Sequence, residues 1–395
     1  MNRRGFTLIT KYLAGICCFV FLLAFILRFI SERKGPAEES GSNRAVWLAE
    51  AGVDKGLRSL NTNNWTDWTG TGIRSINIKL GSSGEYSVTV DQANSTITAG
   101  GYYPGRTAPK YYIREVRVTL SRGALFGYAI FGSSSVAITG NTRIDSYDSR
   151  NGFYDGNNAH KNGDVGSNGD QYGAINFSGN TYVEGSVNTG SQGSVAILGN
   201  AGLNGKEFHN SDQILAIIPV PDTLISMPLH PAINLRGNES LTLNAGGYKI
   251  PSINLSGNSR LIINGKVSIY LNSTANALNI GVGAKIVVGG SVTIYTDGNA
   301  VIAAGSIVNK ARLPENLIIY GTATAGSIRI SGIGDLYAAL YAPKSDINIG
   351  LNGDIFGSFV GNNVVYTGNG ALHYDERLAG IGDIFNYGIT TWKEL

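Results

Sequence analysis

Apolar residues along this chain follow several rhythms in turn, and each predicts a different element. From Tyr12 to Leu27 every residue is apolar or Gly, and Phe29 and Ile30 extend the run past Arg28. That stretch, about 19 residues, is long enough for a helix to cross a hydrocarbon core of roughly 30 Å. After "RKGPAEESGSN", read as a polar break at Gly35 and Pro36, the rhythm turns amphipathic. Val46, Ala49, Val53, Leu57 and Leu60 recur at three- and four-residue steps, which predicts a helix over 43–60. Strict alternation follows in "EYSVTV", "STITAGG" and "REVRVTL", predicting a three-strand meander packed on that helix. Trp65 and Trp68, in the loop before it, are expected to cap its small core.

Beyond Gly123 the pattern repeats itself. "VAITGNTRID", "INFSGNTYVEGSV", "VAILGNAGLNG", "INLRGNESLTLNAGG", "INLSGNSRLIINGKVSIYL" and "VVYTGNGALHYD" each join two short apolar strands through a Gly-Asn pair. The Gly of that pair stands at 140, 179, 199, 237, 257 and 368. A period near 20 with Val/Ile-rich strands and Gly/Asn corners predicts a single-stranded, right-handed parallel β-helix over 124–378. Consecutive stacking at about 4.8 Å per coil would make about 12 coils and a rod of roughly 60 Å. Stacked Asn side chains would hydrogen-bond along its axis. Ile253 and Leu255 are expected to point to opposite sides of their strand. The fold class is therefore mainly β, with an N-terminal helix, a small meander and a solenoid.

Composition narrows the function. Glycine is abundant, at 54 residues, while proline, at 10, is scarce, so the glycines serve turns and not collagen or a Pro-rich linker. A net charge of +3 with no basic block after Lys34 leaves no nucleic-acid footprint. Both cysteines, Cys17 and Cys18, lie in the apolar run. The remainder has no thiolate metal site and suits export.

Arg3, Arg4 and Lys11 ahead of the apolar run keep the N-terminus in the cytoplasm and send the rest outside. No A-x-A site follows the run, and Ile16 before Cys17 does not suit a lipoprotein site. "RRGFTLI" instead resembles the type IV prepilin leader. The resemblance implies cleavage between Gly5 and Phe6 by a prepilin peptidase, methylation of Phe6, and a retained helix that anchors the subunit in the inner membrane and then in a filament. "LAEAGVDKGL" resembles the segment after the membrane helix in PilX-like minor pilins. "LYAP", a G-D-x-x-G step and a closing "HYD" resemble the end of the β-helical domain attached to such N-termini. Pilins usually carry Glu at the fifth mature position, where this chain has Thr10, which implies a minor or end-located subunit rather than a shaft subunit.

The expected organisation is a leader over 1–5, a membrane and amphipathic helix over 6–60, a strand-rich region over 61–123, the β-helix over 124–378 and a tail over 379–395. The expected role is non-enzymatic. The chain would assemble with other pilins and the pilus machinery at a bacterial cell surface, and display a surface for adhesion to a glycan or protein. The competing readings are a tethered β-helical enzyme acting on polysaccharide, and a bactofilin-like polymer. The enzyme would need clustered carboxylates on one face, whereas Asp335, Asp346 and Asp354 are spaced apart near corners. No cofactor is expected. The acid-rich stretch around Asp145, Asp148, Asp155, Asp164 and Asp170 has the oxygen-rich composition of a calcium loop, without EF-hand spacing, and Asp145, Asp148 and Asp155 are its candidate metal ligands. A solvated excursion from the solenoid would read the same way. Tyr147, Tyr154 and Tyr172 nearby are candidates for a sugar or protein contact.

Overall fold

The computed structural model describes residues 36–62, 64–122, 124–213, 215–381 and 387–395. Gly5, Phe6 and the apolar run to Ile30 lie outside them. Among the described residues no helix is long and apolar enough to cross a membrane. The chain divides into two units: one reaches to Ser121 and takes in Gly388–Leu395, and the other is Arg122–Tyr387.

In the first unit helix α1, Pro36–Thr62, includes residues read from sequence as a break. Pro is tolerated in a first helical turn, and Ala37, Glu38 and Glu39 after it are good helix formers. The strands β1 (Ile73–Lys79), β2 (Glu85–Asp91), β3 (Thr96–Tyr103) and β4 (Tyr112–Arg122) pair antiparallel in chain order. The segment expected as a tail supplies a fifth strand, Tyr387–Glu394, beside β4. Val88, Val90, Ile97, Ala99, Val116 and Val118 form the apolar face of this sheet.

The face that α1 turns to the sheet is built of small residues. Ala45, Ala49, Gly52, Val53, Gly56 and Leu60 are buried, while Val46 and Leu57 lie half-buried at its edge. The helix backbone comes so close that a Cβ on Gly101 of β3 would stand 2.0 Å from the Ala45 carbonyl oxygen and 2.6 Å from the Ala49 nitrogen. Trp65 and Trp68 meet edge to face at 5.3 Å, and the Arg74 guanidinium lies over Trp65 at 4.1 Å.

The second unit is a parallel β solenoid whose rungs do not stack in chain order. The apolar strand Ile233–Leu235 lies on 253–255, then the register passes through 278–280, 300–302, 328–330, 347–349 and 364–366. The next neighbour is 136–138, followed by 175–177 and 195–197. The chain thus makes two windings: three rungs over Ile130–Phe208, then seven over Ile233–Asp375, the last of which seats on the first. Ten rungs at about 4.8 Å give roughly 45 Å, shorter than the uninterrupted stack expected from the period. The reason is physical: every rung carries the same strand-corner-strand template, so a rung's sequence does not encode which rung covers it.

Between the windings, 209–232 returns along the solenoid. It touches a column of in-register tyrosines, Tyr270, Tyr295, Tyr320 and Tyr341, at its Tyr341 end. Tyr341 Oη donates to the Ala216 carbonyl at 2.9 Å, and Leu224 and Met227 close over Gly247.

Ile253 and Leu255 both face the core, at 0% and 1% exposure, which corrects the expectation that they diverge. Residues two apart in a strand share a face. It is Asn254 between them that points out, donating to Asn234 Oδ1 at 2.9 Å in an axial ladder. Ile253→Asp and Leu255→Asp should each cost several kcal/mol by burying a charge in a dry core, whereas Asn254→Asp should be tolerated. Chemical denaturation of the three variants checks this, and comparable stability of all three would refute the assignment.

Candidate functional site

Where the two windings meet, the solenoid buries polar side chains, among them Asp145, Ser146, Ser358, His373 and Asp375. Strand Ile130–Tyr147 and strand Ile355–Asp375 align with Val136 on Val364, Ile138 on Tyr366, Gly140 on Gly368, Asn141 on Asn369 and Ile144 on Leu372. Both segments carry the repeat template in the same phase, which is why they fit. Side chains then tie the rungs together. Ser134 Oγ donates to Asn362 Oδ1 at 2.7 Å, Ser135 Oγ to Asn363 Oδ1 at 2.8 Å, and Ser358 Oγ to the Tyr128 carbonyl at 2.6 Å.

At the end of this seam Asp145 and His373 are register partners and both buried. His373 Nδ1 bonds to one Asp145 oxygen, while the other takes Arg143 Nε at 3.1 Å and the Tyr154 hydroxyl at 2.7 Å. Asp354 Oδ2 stands 4.0 Å from His373 Nε2. The Tyr154 ring lies over His373 with centroids 3.6 Å apart, and Phe356, itself stacked on Tyr337 at 4.2 Å, completes an aromatic wall. Burial, then the bond to Asp145, pushes the Tyr154 hydroxyl up. Burial likewise raises the Tyr147 hydroxyl and the carboxyl of its register partner Asp375. Glu376 goes the other way: burial pulls it up, but bonds from Asn162, Ser146 and His160 together outweigh that and hold it below the usual range.

The acid-rich stretch folds over this cluster, and it does not gather its carboxylates. Asp145 belongs to the His373 pair. Asp148 caps the turn Ser149–Asn151 and is gripped by Arg150 at 2.7–3.0 Å, which holds its carboxyl low. Asp155 Oδ1 accepts the amides of Asn157 and Asn158 at 2.8 and 2.9 Å. Asp164 and Asp170 accept the amides of Ser186 and Gln192 on the next rung. Composition suggested a calcium loop because oxygens are abundant, but at least one oxygen of each of these carboxylates is engaged by a donor of the fold. Among the described residues no group of three or more His, Cys, Asp or Glu side chains is placed to hold a metal. Of the three tyrosines, Tyr147 is buried, Tyr154 covers the histidine and Tyr172 is exposed.

Sequence reasoning missed His373, Arg143 and Asn158. Asn158 organises the excursion by donating from Nδ2 to the Asp148 and Gly152 carbonyls at 3.0 and 3.1 Å. The arrangement as a whole locks one winding onto the other: its bonds cross between segments separated by more than 200 residues.

A domain family of unknown function, DUF7305, matches residues 231–381, a span that takes in the second winding. No curated protein matches. Among solved structures, an ice-binding protein from the Antarctic ascomycete Antarctomyces psychrotrophicus is 16% identical with a TM-score of 0.31, covering 64% of this chain and 97% of its own. The DUF3494 domain of a Shewanella frigidimarina ice-binding protein is 14% identical with a TM-score of 0.29, covering 64% and 96%. The competence-associated pilin ComZ from Thermus thermophilus is 11% identical with a TM-score of 0.27, covering 90% and 98%.

Proposed function

We propose that this chain is a minor, pilin-like subunit that is cleaved after Gly5, held by its N-terminal helix, and displays the solenoid outside the cell as a binding and structural surface. The observation that carries the reading is the order of parts: "RRGFTLI", an apolar run, then a helix laid on an antiparallel sheet. Both windings lie in the chain between β4 and the C-terminal strand of the helix-and-sheet unit, so the solenoid is an insertion in that unit's sequence. A role without catalysis is favoured by the corner carboxylates. Asp335, Asp346 and Asp354 each accept a backbone amide of a neighbouring rung, from Asp354, Asn363 and Ala371, at 2.9–3.3 Å.

In cells that contain a prepilin peptidase, intact-mass measurement of the mature protein should show an N-methylated start at Phe6, and Gly5→Ala should leave most of the chain uncut. A start at Met1 or Asn2 would overturn the reading. Thr10 at the fifth mature position adds that the subunit enters filaments at low copy number, so antibody should label filament ends or sparse points and not the whole shaft.

A further inference from the structure

The antiparallel sheet of the first unit has a second face. Val88, Val90, Ile97, Ala99, Val116 and Val118 are buried towards α1, so the alternate residues of β2, β3 and β4 look the other way. There they line a groove of about 380 Å³, at the small end of the range for ligand sites. Register lays its floor in two rows. Thr89 pairs with Thr98 and Thr98 with Arg117 across β2, β3 and β4; in the next row Ile73 pairs with Asp91 and Asp91 with Thr96. Asn94, in the turn from β2 to β3, also lines it.

Neighbours in the sheet hold these polar groups in place. Ser75 and Thr89 share a hydrogen bond at 3.0 Å, and Arg117 Nε donates to Thr98 Oγ1 at 3.2 Å. Asp91 Oδ1 accepts the Asn94 amide at 3.0 Å, and Asp91 Oδ2 accepts Asn94 Nδ2 at 2.8 Å. Those bonds hold the Asp91 carboxyl below its usual range, so it stays an anion, and a carboxylate oxygen has lone pairs for a further donor. The two charges are thus positioned by different neighbours, Asp91 by the turn and Arg117 by the middle strand.

The chemistry of the groove selects its ligand. β2, β3 and β4 are each paired on both sides, so no backbone edge is open on which an extended peptide could add as a strand. What remains is a dense set of side chains: hydroxyls that both donate and accept, a carboxylate that accepts only, and a guanidinium that donates only. A ligand that satisfies all three carries several hydroxyls and an anionic acceptor. A planar carboxylate fits the guanidinium fork in two parallel bonds. Ile73, 57% exposed at the end of its row, adds apolar surface for the C–H face of a ring.

We propose that this groove binds a uronate-containing glycan, with Arg117 on the sugar carboxylate and Asp91, Thr89 and Thr98 on ring hydroxyls. The site lies in the helix-and-sheet unit and not in the solenoid, and the inference does not rest on how the chain is processed or exported.

The test uses the full chain in detergent micelles and fluorescently labelled short oligomers of galacturonate, glucuronate and mannuronate, with binding read by anisotropy. At least one of the three should bind at least tenfold more tightly than its methyl ester, which keeps the hydroxyls and loses the anion, and than oligoglutamate of equal length, which keeps the anion and loses the hydroxyls. Arg117→Gln should abolish the preference for acid over ester. Asp91→Asn should weaken binding of the acid at least fivefold, although it removes a negative charge from the path of an anionic ligand; a site that merely attracts anions would bind more tightly after that change. Both side chains lie on the outer face of the sheet, so thermal unfolding of the two variants should match that of the parent chain. Failure of all three uronates to bind, equal affinity for acid and ester, equal affinity for oligoglutamate, or tighter binding in Asp91→Asn would overturn the proposal.

Discussion

Gly101→Val should detach α1 from its sheet and cost about 3–5 kcal/mol, the range of severe single-site losses. Even the first added carbon would sit 2.0 Å from the Ala45 carbonyl oxygen, and both atoms in that clash are fixed by backbone, so no rotamer relieves it. The helix has to move away, and the movement uncovers Ala45, Leu48, Ala49 and Val53, which now pack at under 10% exposure. Hydrogen exchange should show lost protection in α1 and β3 while the solenoid strands from Ile253 to Ile302 stay protected. Gly81→Asn is the control: Gly81 has φ +60°, which Asn tolerates, and open space where its side chain would point. Protection of α1 in Gly101→Val equal to that in the control would show that the close approach does not hold this unit together.

That helix also shows what periodicity reads and what it passes over. Leu60 and Val53 announced the helix because large apolar residues recur at helical steps, but the contact is centred on Gly52 and Gly56, which hydrophobic pattern ignores. Their function is to be absent: a Cβ on Gly52 would lie 2.9 Å from that of Ala99. The solenoid was legible as a class because each rung repeats a local template of strand, Gly-Asn corner and strand. Its order was not, since identical templates stack equally well in any sequence. The C-terminal strand carries too little alternation to separate "YGITTWKE" from a tail, and only its place beside β4 makes it part of a sheet. The acid-rich stretch was visible by composition, yet the fate of each carboxylate depends on donors such as Arg150 and the Asn157 amide, which composition does not count.

The seam cluster was the least legible feature of all, for Asp145 and His373 lie 228 residues apart, and its removal should have the largest effect on the solenoid. Asp145→Ala leaves the His373 ring without its partner in a buried site and withdraws the acceptor of Tyr154, so a loss of about 3–5 kcal/mol is expected, as for other broken buried pairs. Arg143 contributes little to that loss because its side chain is 54% exposed and returns to water. The double replacement Asp145→Leu with His373→Phe should recover most of the stability. It removes both desolvated polar partners together and leaves an apolar pair against Phe356 and Tyr154, whose hydroxyl, at the half-buried edge, can turn to solvent. The coupling between the two sites, read by denaturation of both single variants and the double, should therefore be large and favourable. Hydrogen exchange separates this from general destabilisation: in Asp145→Ala the first winding, from Ile130 to Phe208, should open while the rungs from Ile253 to Ile302 keep their protection. A loss under about 1 kcal/mol, the value of an ordinary exposed pair, or uniform opening of both windings, would mean that the seam is held by its strand register alone.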